Sequence, residues 1–193
     1  MMKSPVPGVS HAIARTYYAG LFALLSFGGP VAAQSTTFLL APGRAGGLEI
    51  GLALDTVLRV FGRNRVRLVD LQLEGHFTPA IEIALADSGA APALVARIRQ
   101  FPCDEFAVYG ISVYDPRFRT RQGLGVGSTI GELRHSYDVR LSREEGHSVV
   151  VPALRMTFGI NGTSFADSVR VTSVWLWHDP KEVRARRCPG AGR

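Results

Sequence analysis

The chain has 193 residues, is moderately apolar, and carries a formal net charge of +6 at pH 7. Most of that charge lies near its ends: Lys3 and Arg15 contribute +2, and the segment 181–193 contributes five basic residues against one acidic residue, or +4. The body between residues 34 and 180 is therefore close to neutral (6 − 2 − 4 = 0). This balance argues against an extended basic surface of the kind that binds nucleic acid.

Residues 1–33 have the pattern of a secretory signal peptide. A basic start without acidic residues leads into the apolar run 19–27, and Pro30-Val-Ala-Ala33 places small residues before a cleavage point at Gln34. The apolar run is shorter than the roughly 20 residues that a membrane-spanning helix needs. We expect cleavage near Ala33 and a mature chain of 160 residues (193 − 33 = 160) that is exported, periplasmic or extracellular, without a transmembrane segment.

Two related glycine-containing stretches predict the two helices of the chain. In 123–137 (GLGVGSTIGELRHSY), Thr129 and Glu132 form a capping-box pattern ahead of an amphipathic helix. In the stretch 47–61 (GLEIGLALDTVLRVF), Gly47 and Gly51 match Gly123 and Gly127, and three apolar positions also match, at a constant offset of 76 residues (123 − 47 = 76). Gly62 predicts the end of its helix. The constant offset indicates an internal duplication, although two unrelated helices would give the same local patterns.

The segments between and after these helices predict strands. Alternating or continuous apolar residues, bounded by turn residues, indicate strands at 66–74 (with a bulge between Leu68 and Leu71), 80–85, 93–101, 106–114, 139–142, 149–151, 156–160 and 169–177. The range 93–101 is also compatible with a helix that has Pro92 at its first position. Asn161-Gly162 is the strongest hairpin signal, and the two tryptophans of 169–177 suggest that the last strand lies over the core.

This order predicts an α+β, antiparallel β-rich fold with two similar units, each a short helix followed by several antiparallel strands. The expected divisions are 1–33 (signal peptide), 34–116 and 117–180 (the units), and 181–193 (a basic, irregular tail). The glycine–threonine–helix pattern and the segment 118–137 resemble uncharacterised exported bacterial proteins with a tandem helix-plus-sheet unit, similar to the BamE-like and β-lactamase inhibitory protein-like folds. The chain lacks the lipidation cysteine of the former and the paired cysteines of the latter, so no site residue is carried over.

The two cysteines, Cys103 and Cys188, are expected to pair in an oxidising compartment and to tie the tail to the middle of the fold. Two separate thiols are the alternative. Two cysteines without suitably spaced histidines are a poor zinc signal, so no metal and no cofactor are predicted.

Catalytic patterns are weak, and no catalytic residue is predicted. Gly123-x-Gly125 lacks the further glycine or lysine of nucleotide-binding motifs, and the sequence around Ser164 approximates a nucleophile elbow but is followed by a strand pattern. Two groups of polar residues could form a hydrolytic site: Ser164 with His178 and Asp179, or Asp70 with Glu74 and His76 on one strand.

The sequence therefore favours an exported, non-catalytic binding or protein-interaction protein with no identified ligand. A curved sheet built from two units would present a concave face to an envelope or secreted protein. A small exported hydrolase is the alternative.

Overall fold

The computed structural model describes residues 36–73, 75–85, 91–101, 105–143, 147–179 and 181–183. The helices are α1 (Leu54–Phe61) and α2 (Ile130–Ser136). The strands are β1 (Leu40–Ala41), β2 (Arg44–Ala45), β3 (Leu48–Glu49), β4 (Val66–Leu73), β5 (His76–Ile83), β6 (Leu94–Gln100), β7 (Phe106–Val113), β8 (Arg140–Ser142), β9 (Ser148–Val151), β10 (Met156–Ile160) and β11 (Val171–Leu176). Three-residue 3-10 turns begin at Thr36, Arg63 and Pro152.

Eight of the strands form one antiparallel sheet in the order β4-β5-β6-β7-β11-β10-β9-β8. Helix α1 precedes β4 to β7 along the chain, helix α2 precedes β8 to β11, and the last strand of each set pairs with the other at the centre of the sheet. This architecture confirms the α+β, antiparallel β-rich prediction. The short strands β1 to β3 form a separate small sheet that the sequence patterns did not reveal.

One face of the large sheet packs against the hydrophobic core. Strand alternation places at least two side chains from each of six strands, β5 to β7 and β9 to β11, on this face, and the following are buried: Ile81, Ile83, Leu94, Ala96, Ile111, Val113, Val149, Val151, Met156, Phe158, Val174 and Leu176. Val57 of α1, with Ile130 and Leu133 of α2, belongs to the same core. The helices therefore cover the side of the sheet that we call the inner face, and the opposite side is the outer face.

The start of α2 and the end of α1 lie where local chemistry predicts. Thr129 caps α2: its Oγ1 accepts a hydrogen bond from the Glu132 amide at 3.2 Å, while Glu132 Oε2 accepts one from the Thr129 amide at 2.7 Å. Helix α1 ends at Gly62, whose φ of +83° is accessible to glycine without a steric penalty. The predicted capping box and the predicted stop are confirmed.

The β4–β5 hairpin differs from the sequence prediction. A single strand with a bulge was expected to reach residue 74, but the chain reverses after Leu73, and β5 begins at His76, four residues earlier than predicted. The register from Val66 with Ile83 to Leu73 with His76 contains no bulge. Strand β6 pairs with β5 only over 80–83, so the part of the hairpin near its reversal projects beyond β6. This is why the alternation of apolar residues along β4 changes phase.

Three further predictions are settled by the described strands. The ambiguous range 93–101 is a strand, β6. Strands β10 and β11 do form a hairpin, but Asn161-Gly162 starts a longer connection instead of making a two-residue turn. The last strand lies over the core as predicted, because Val174 and Leu176 face the core, whereas its two tryptophans alternate to the outer face.

Some predictions fall outside the described residues. They are the signal peptide and the Cys103–Cys188 pair. Of the tail, residues 181–183 form a helical turn, and Val183 is buried against the core. None of the described helices has the length and apolar character required to cross a membrane.

Candidate binding surface

The outer face of the large sheet carries large polar and aromatic side chains on its three central strands, β6, β7 and β11. We call six of them the aromatic–arginine patch: Arg97, Arg99, Tyr109, Tyr114, Trp175 and Trp177. Strand alternation places five of them on this face, and a β-bulge in β7 places Tyr109 there. Tyr114 is 44% exposed and Trp177 is 40% exposed, while Trp175, Tyr109 and Arg97 are half-buried.

Small residues of β7 separate the larger side chains of its two neighbours. Ser112 pairs with Val95 on one side and with Trp175 on the other. Gly110 pairs with Arg97, whose guanidinium covers it, so Gly110 is buried. The outer face therefore has a short trough at Ser112, with Trp175 on one wall, and Arg97 closes it at Gly110.

A β-bulge shapes one end of this trough. The register between β6 and β7 shifts after Arg97, so that Tyr109 and Gly110 of β7 together oppose this one residue. The bulge keeps Tyr109 on the outer face, although simple alternation from Ile111 would direct its side chain into the core.

The guanidinium group of Arg97 lies flat against the backbone of Gly110. A Cβ atom at position 110 would lie only 2.8 Å from Nη2 and 3.0 Å from Nε of Arg97, so this approach requires glycine. The Arg97 Cζ atom is 5.4 Å from the Tyr109 ring centroid, and the Arg99 Cζ atom is 5.6 Å from the same centroid. Both distances are within the range of cation–π attraction, so two cations share one ring.

These two arginines differ from the ion-paired arginines elsewhere. Arg67 pairs with Glu82 and Arg134 with Asp167, whereas neither Arg97 nor Arg99 has a carboxylate partner among the described residues. The Nε atom of Arg97 is buried without a hydrogen-bond acceptor in the same part of the chain. Desolvating a charged donor without a partner costs free energy, but this buried nitrogen is closed to solvent, so the exposed Arg99 is the cation of the patch that an anion reaches most readily.

Paired charges elsewhere have the effects expected of close ion pairs. The Arg117 side chain donates to Asp115 and holds the pKa of that carboxyl below its ordinary value. Glu182 accepts from Arg155 at 2.7 Å and raises the pKa of that guanidinium. His178 Nε2 lies 2.7 Å from the same Glu182 oxygen, so this cluster joins the turn at 181–183 to the start of β10.

The glycine-rich loop before α2 is a structural turn. The amides of Gly123 and Leu124 donate to the backbone and hydroxyl oxygens of Thr120. The Gly125 amide donates to Ser128 Oγ, and the Gly127 amide donates to the Val171 carbonyl. A phosphate-binding loop needs amides directed at its ligand, and these four are already satisfied within the fold.

The residues of the hydrolase alternative do not come together. Ser164 follows β10 at the end of the hairpin where Ile160 pairs with Val171, and His178 follows β11 at the end where Met156 pairs with Leu176. Five residue steps separate these ends, which is about 17 Å at the usual rise of a strand. The Ser164 hydroxyl instead accepts from the Ala166 amide, and the segment after it leads into strand β11, so the helix that a nucleophile elbow requires is not formed.

The second polar group is also divided. Asp70 pairs with Pro79 and His76 with Leu73, so alternation directs Asp70 and His76 to opposite faces of the hairpin. Glu74 lies outside the described residues. Within the described ranges, no group of three or more His, Cys, Asp or Glu side chains is arranged to hold a metal ion.

Part of the aromatic–arginine patch could be predicted from the sequence. The alternation of Leu94, Ala96 and Ile98 toward the core implies that Arg97 and Arg99 share the other face. Gly110, an isolated glycine inside the predicted strand 106–114, is typical of a bulge and was a local marker for it. The position of Trp175 beside Ser112 depends on the pairing of β7 with β11.

A shallow depression lies elsewhere, at the β8 edge. Its volume is about 510 Å³, and its lining includes Leu141, Ser142, Arg143 and Phe165. The described lining supplies one charged side chain, Arg143, and its guanidinium lies 6.0 Å from the Phe165 ring. It is a weaker candidate than the patch because it brings fewer polar and aromatic groups together.

Comparison with known proteins supports the fold alone. No model of a known protein family matches the chain, and no curated protein is significantly similar to it. A solved structure, that of the uncharacterised protein YfeY from Escherichia coli, is similar over 74% of this chain and 99% of its own, with a TM-score of 0.51 and 13% sequence identity. The chain thus shares a fold with a protein whose function has not been assigned.

Proposed function

We propose that this chain is an exported, non-catalytic protein that binds another protein of the cell envelope or its surroundings through the outer face of its large sheet. The observation that carries the proposal is the aromatic–arginine patch, which exposes tryptophan, tyrosine and arginine on a face that the helices leave uncovered. These three residue types dominate the binding energy of protein interfaces because they combine large contact areas with directional polar groups.

The pattern of residues 1–33 supports export to the periplasm or the exterior. Likewise, we propose that the two helix-plus-sheet halves arose by duplication. The constant offset of 76 residues and the repeated order of one helix followed by four strands support this origin. The junction of the two halves, at β7 and β11, is where the patch lies.

Site-specific photo-crosslinking in the native host tests the binding proposal. Thr157 lies on the outer face beside Trp175, and Asp55 is exposed on α1. We expect a benzoylphenylalanine at position 157 to give a discrete protein adduct and the same group at position 55 to give none.

Trp177→Ala should reduce the adduct from position 157, because it removes exposed aromatic area from the patch without opening the core. Identical adducts from positions 157 and 55, or no adduct from either, would contradict an interface on the outer face.

A further inference from the structure

We propose that the aromatic–arginine patch recognises an extended acidic segment of its partner, with carboxylates at alternate positions bound by Arg97 and Arg99. This inference rests on the proposed function and specifies the chemistry of the partner. It derives from the charge of the patch, the spacing of its two arginines and the trough beside them.

The charge of the patch calls for an anionic partner. Arg97 and Arg99 approach the same tyrosine ring, and neither forms an ion pair among the described residues. Two acidic residues of the same face lie near them: Glu82 on β5, which Arg67 binds, and Glu105, which is two residues before Ala107, the β7 partner of Arg99. Carboxylates from outside the fold would therefore supply the acceptors that these guanidinium groups lack.

The spacing of the two arginines favours an extended peptide. Residues two apart on one face of a strand are separated by about 7 Å, and so are alternate side chains of a bound extended segment. A segment that continues from the short trough at Ser112 across the outer face can run parallel to this spacing because β6 and β7 are antiparallel neighbours. Such a segment would place acidic side chains toward β6 and apolar side chains toward Trp175 and Trp177.

The position of the Arg97 guanidinium favours protein carboxylates over a diffuse polyanion. Packing on Gly110 and Tyr109 restricts the group to one plane. A fixed, planar donor discriminates by geometry, whereas binding of a flexible polyanion depends mainly on total charge. Heparin, a sulfated polymer, therefore serves as the competing class of ligand.

The test measures fluorescence anisotropy of labelled decapeptides with the purified mature protein. One probe carries two glutamates separated by one residue in a β-forming sequence, and a second has the same composition with the glutamates adjacent. We expect tighter binding of the first probe and at least a tenfold weakening with the double variant Arg97→Gln/Arg99→Gln. The control variant Arg63→Gln/Arg121→Gln removes the same charge from exposed positions outside the patch, and it should change the affinity less than twofold.

Two single variants guard against a folding artefact. Arg99→Gln changes an exposed side chain, so the fold should tolerate it while the affinity falls. Gly110→Ala keeps both charges but displaces the Arg97 guanidinium, so it should also weaken binding. Melting curves would confirm that both variants remain folded.

Any of four results overturns the inference. The first two are no binding of the first probe and equal binding of the two probes. The others are an equal loss of affinity in the Arg97/Arg99 and Arg63/Arg121 double variants, and binding of heparin through Arg97 and Arg99 that is tighter than binding of the first probe. Each of these can occur while the crosslinks from position 157 persist. In that case the outer face would remain an interface, and only the acidic partner would be rejected.

Discussion

At the scale of single residues, the start of α2 shows how two side chains set an element boundary. Thr129 and Glu132 each accept a hydrogen bond from the other's backbone amide, so two amides that the helix leaves without partners are satisfied. Helix α2 has only seven residues and would not be stable alone. Its cap and its buried residues, Ile130 and Leu133, therefore maintain it together.

Replacing the capping hydroxyl of Thr129 should destabilise the protein by a measurable amount. Thr129→Ala removes the acceptor for the Glu132 amide and should lower the free energy of unfolding by about 1 kcal/mol. Thr129→Ser, which retains the hydroxyl, should lower it by less, and urea denaturation would measure both. Equal losses in the two variants would show that the hydroxyl is not responsible.

Among elements, the β4–β5 hairpin is the least protected part of the fold. Strand β4 is an edge of the large sheet, and the hairpin leaves Leu68 65% exposed and Phe77 74% exposed. β4 has neither lysine nor proline, two residues that commonly protect edge strands from pairing with other chains. Its exposed backbone groups and apolar side chains therefore favour association at high concentration.

Leu68→Lys should reduce this association without affecting the fold. Because the side chain is largely exposed, the free energy of unfolding should change by no more than about 0.5 kcal/mol. Light scattering at increasing protein concentration would measure the effect. Ile81 pairs with Leu68 across the hairpin but is fully buried, so Ile81→Lys is expected to prevent folding, and similar behaviour of the two variants would contradict the assigned burial.

At the scale of the whole molecule, the two ranges predicted as separate units, 34–116 and 117–180, contribute to one continuous sheet through the pairing of β7 with β11. The chain beyond residue 180 also contacts this body, since Val183 is buried and Glu182 binds Arg155. The predicted Cys103–Cys188 bridge would add a covalent link beyond this contact.

If the bridge forms, it closes a loop of about 85 residues (188 − 103 = 85). Chain entropy then sets an upper limit of roughly 4–5 kcal/mol for its contribution to stability. Cys188→Ser should lower the melting temperature of the oxidised protein, Cys103→Ser should lower it equally, and the double variant should add nothing. Two reactive thiols per native chain in a thiol titration would show that the cysteines are separate.

Local interactions explain which parts of the fold could be predicted. The capping box of α2, the stop at Gly62 and the alternation of β6 each depend on neighbours within a few residues, and all three are confirmed. The hairpin reversal near Gly75 was missed because β4 has apolar residues on both faces at an open edge, so its pattern did not mark its end.

The sequence by itself determined the α+β class and the helices and most of the strands, because capping groups, apolar alternation and glycine conformations act over short distances. Only the tertiary structure decided that Trp175 lies beside Ser112, and that Tyr109 contacts Arg97, because these positions depend on the pairing of β11 with β7 and on a bulge between β6 and β7. It also separated Ser164 from His178, which the sequence places close together. Strand pairing joins residues far apart in the chain, and no local pattern records which strands will meet.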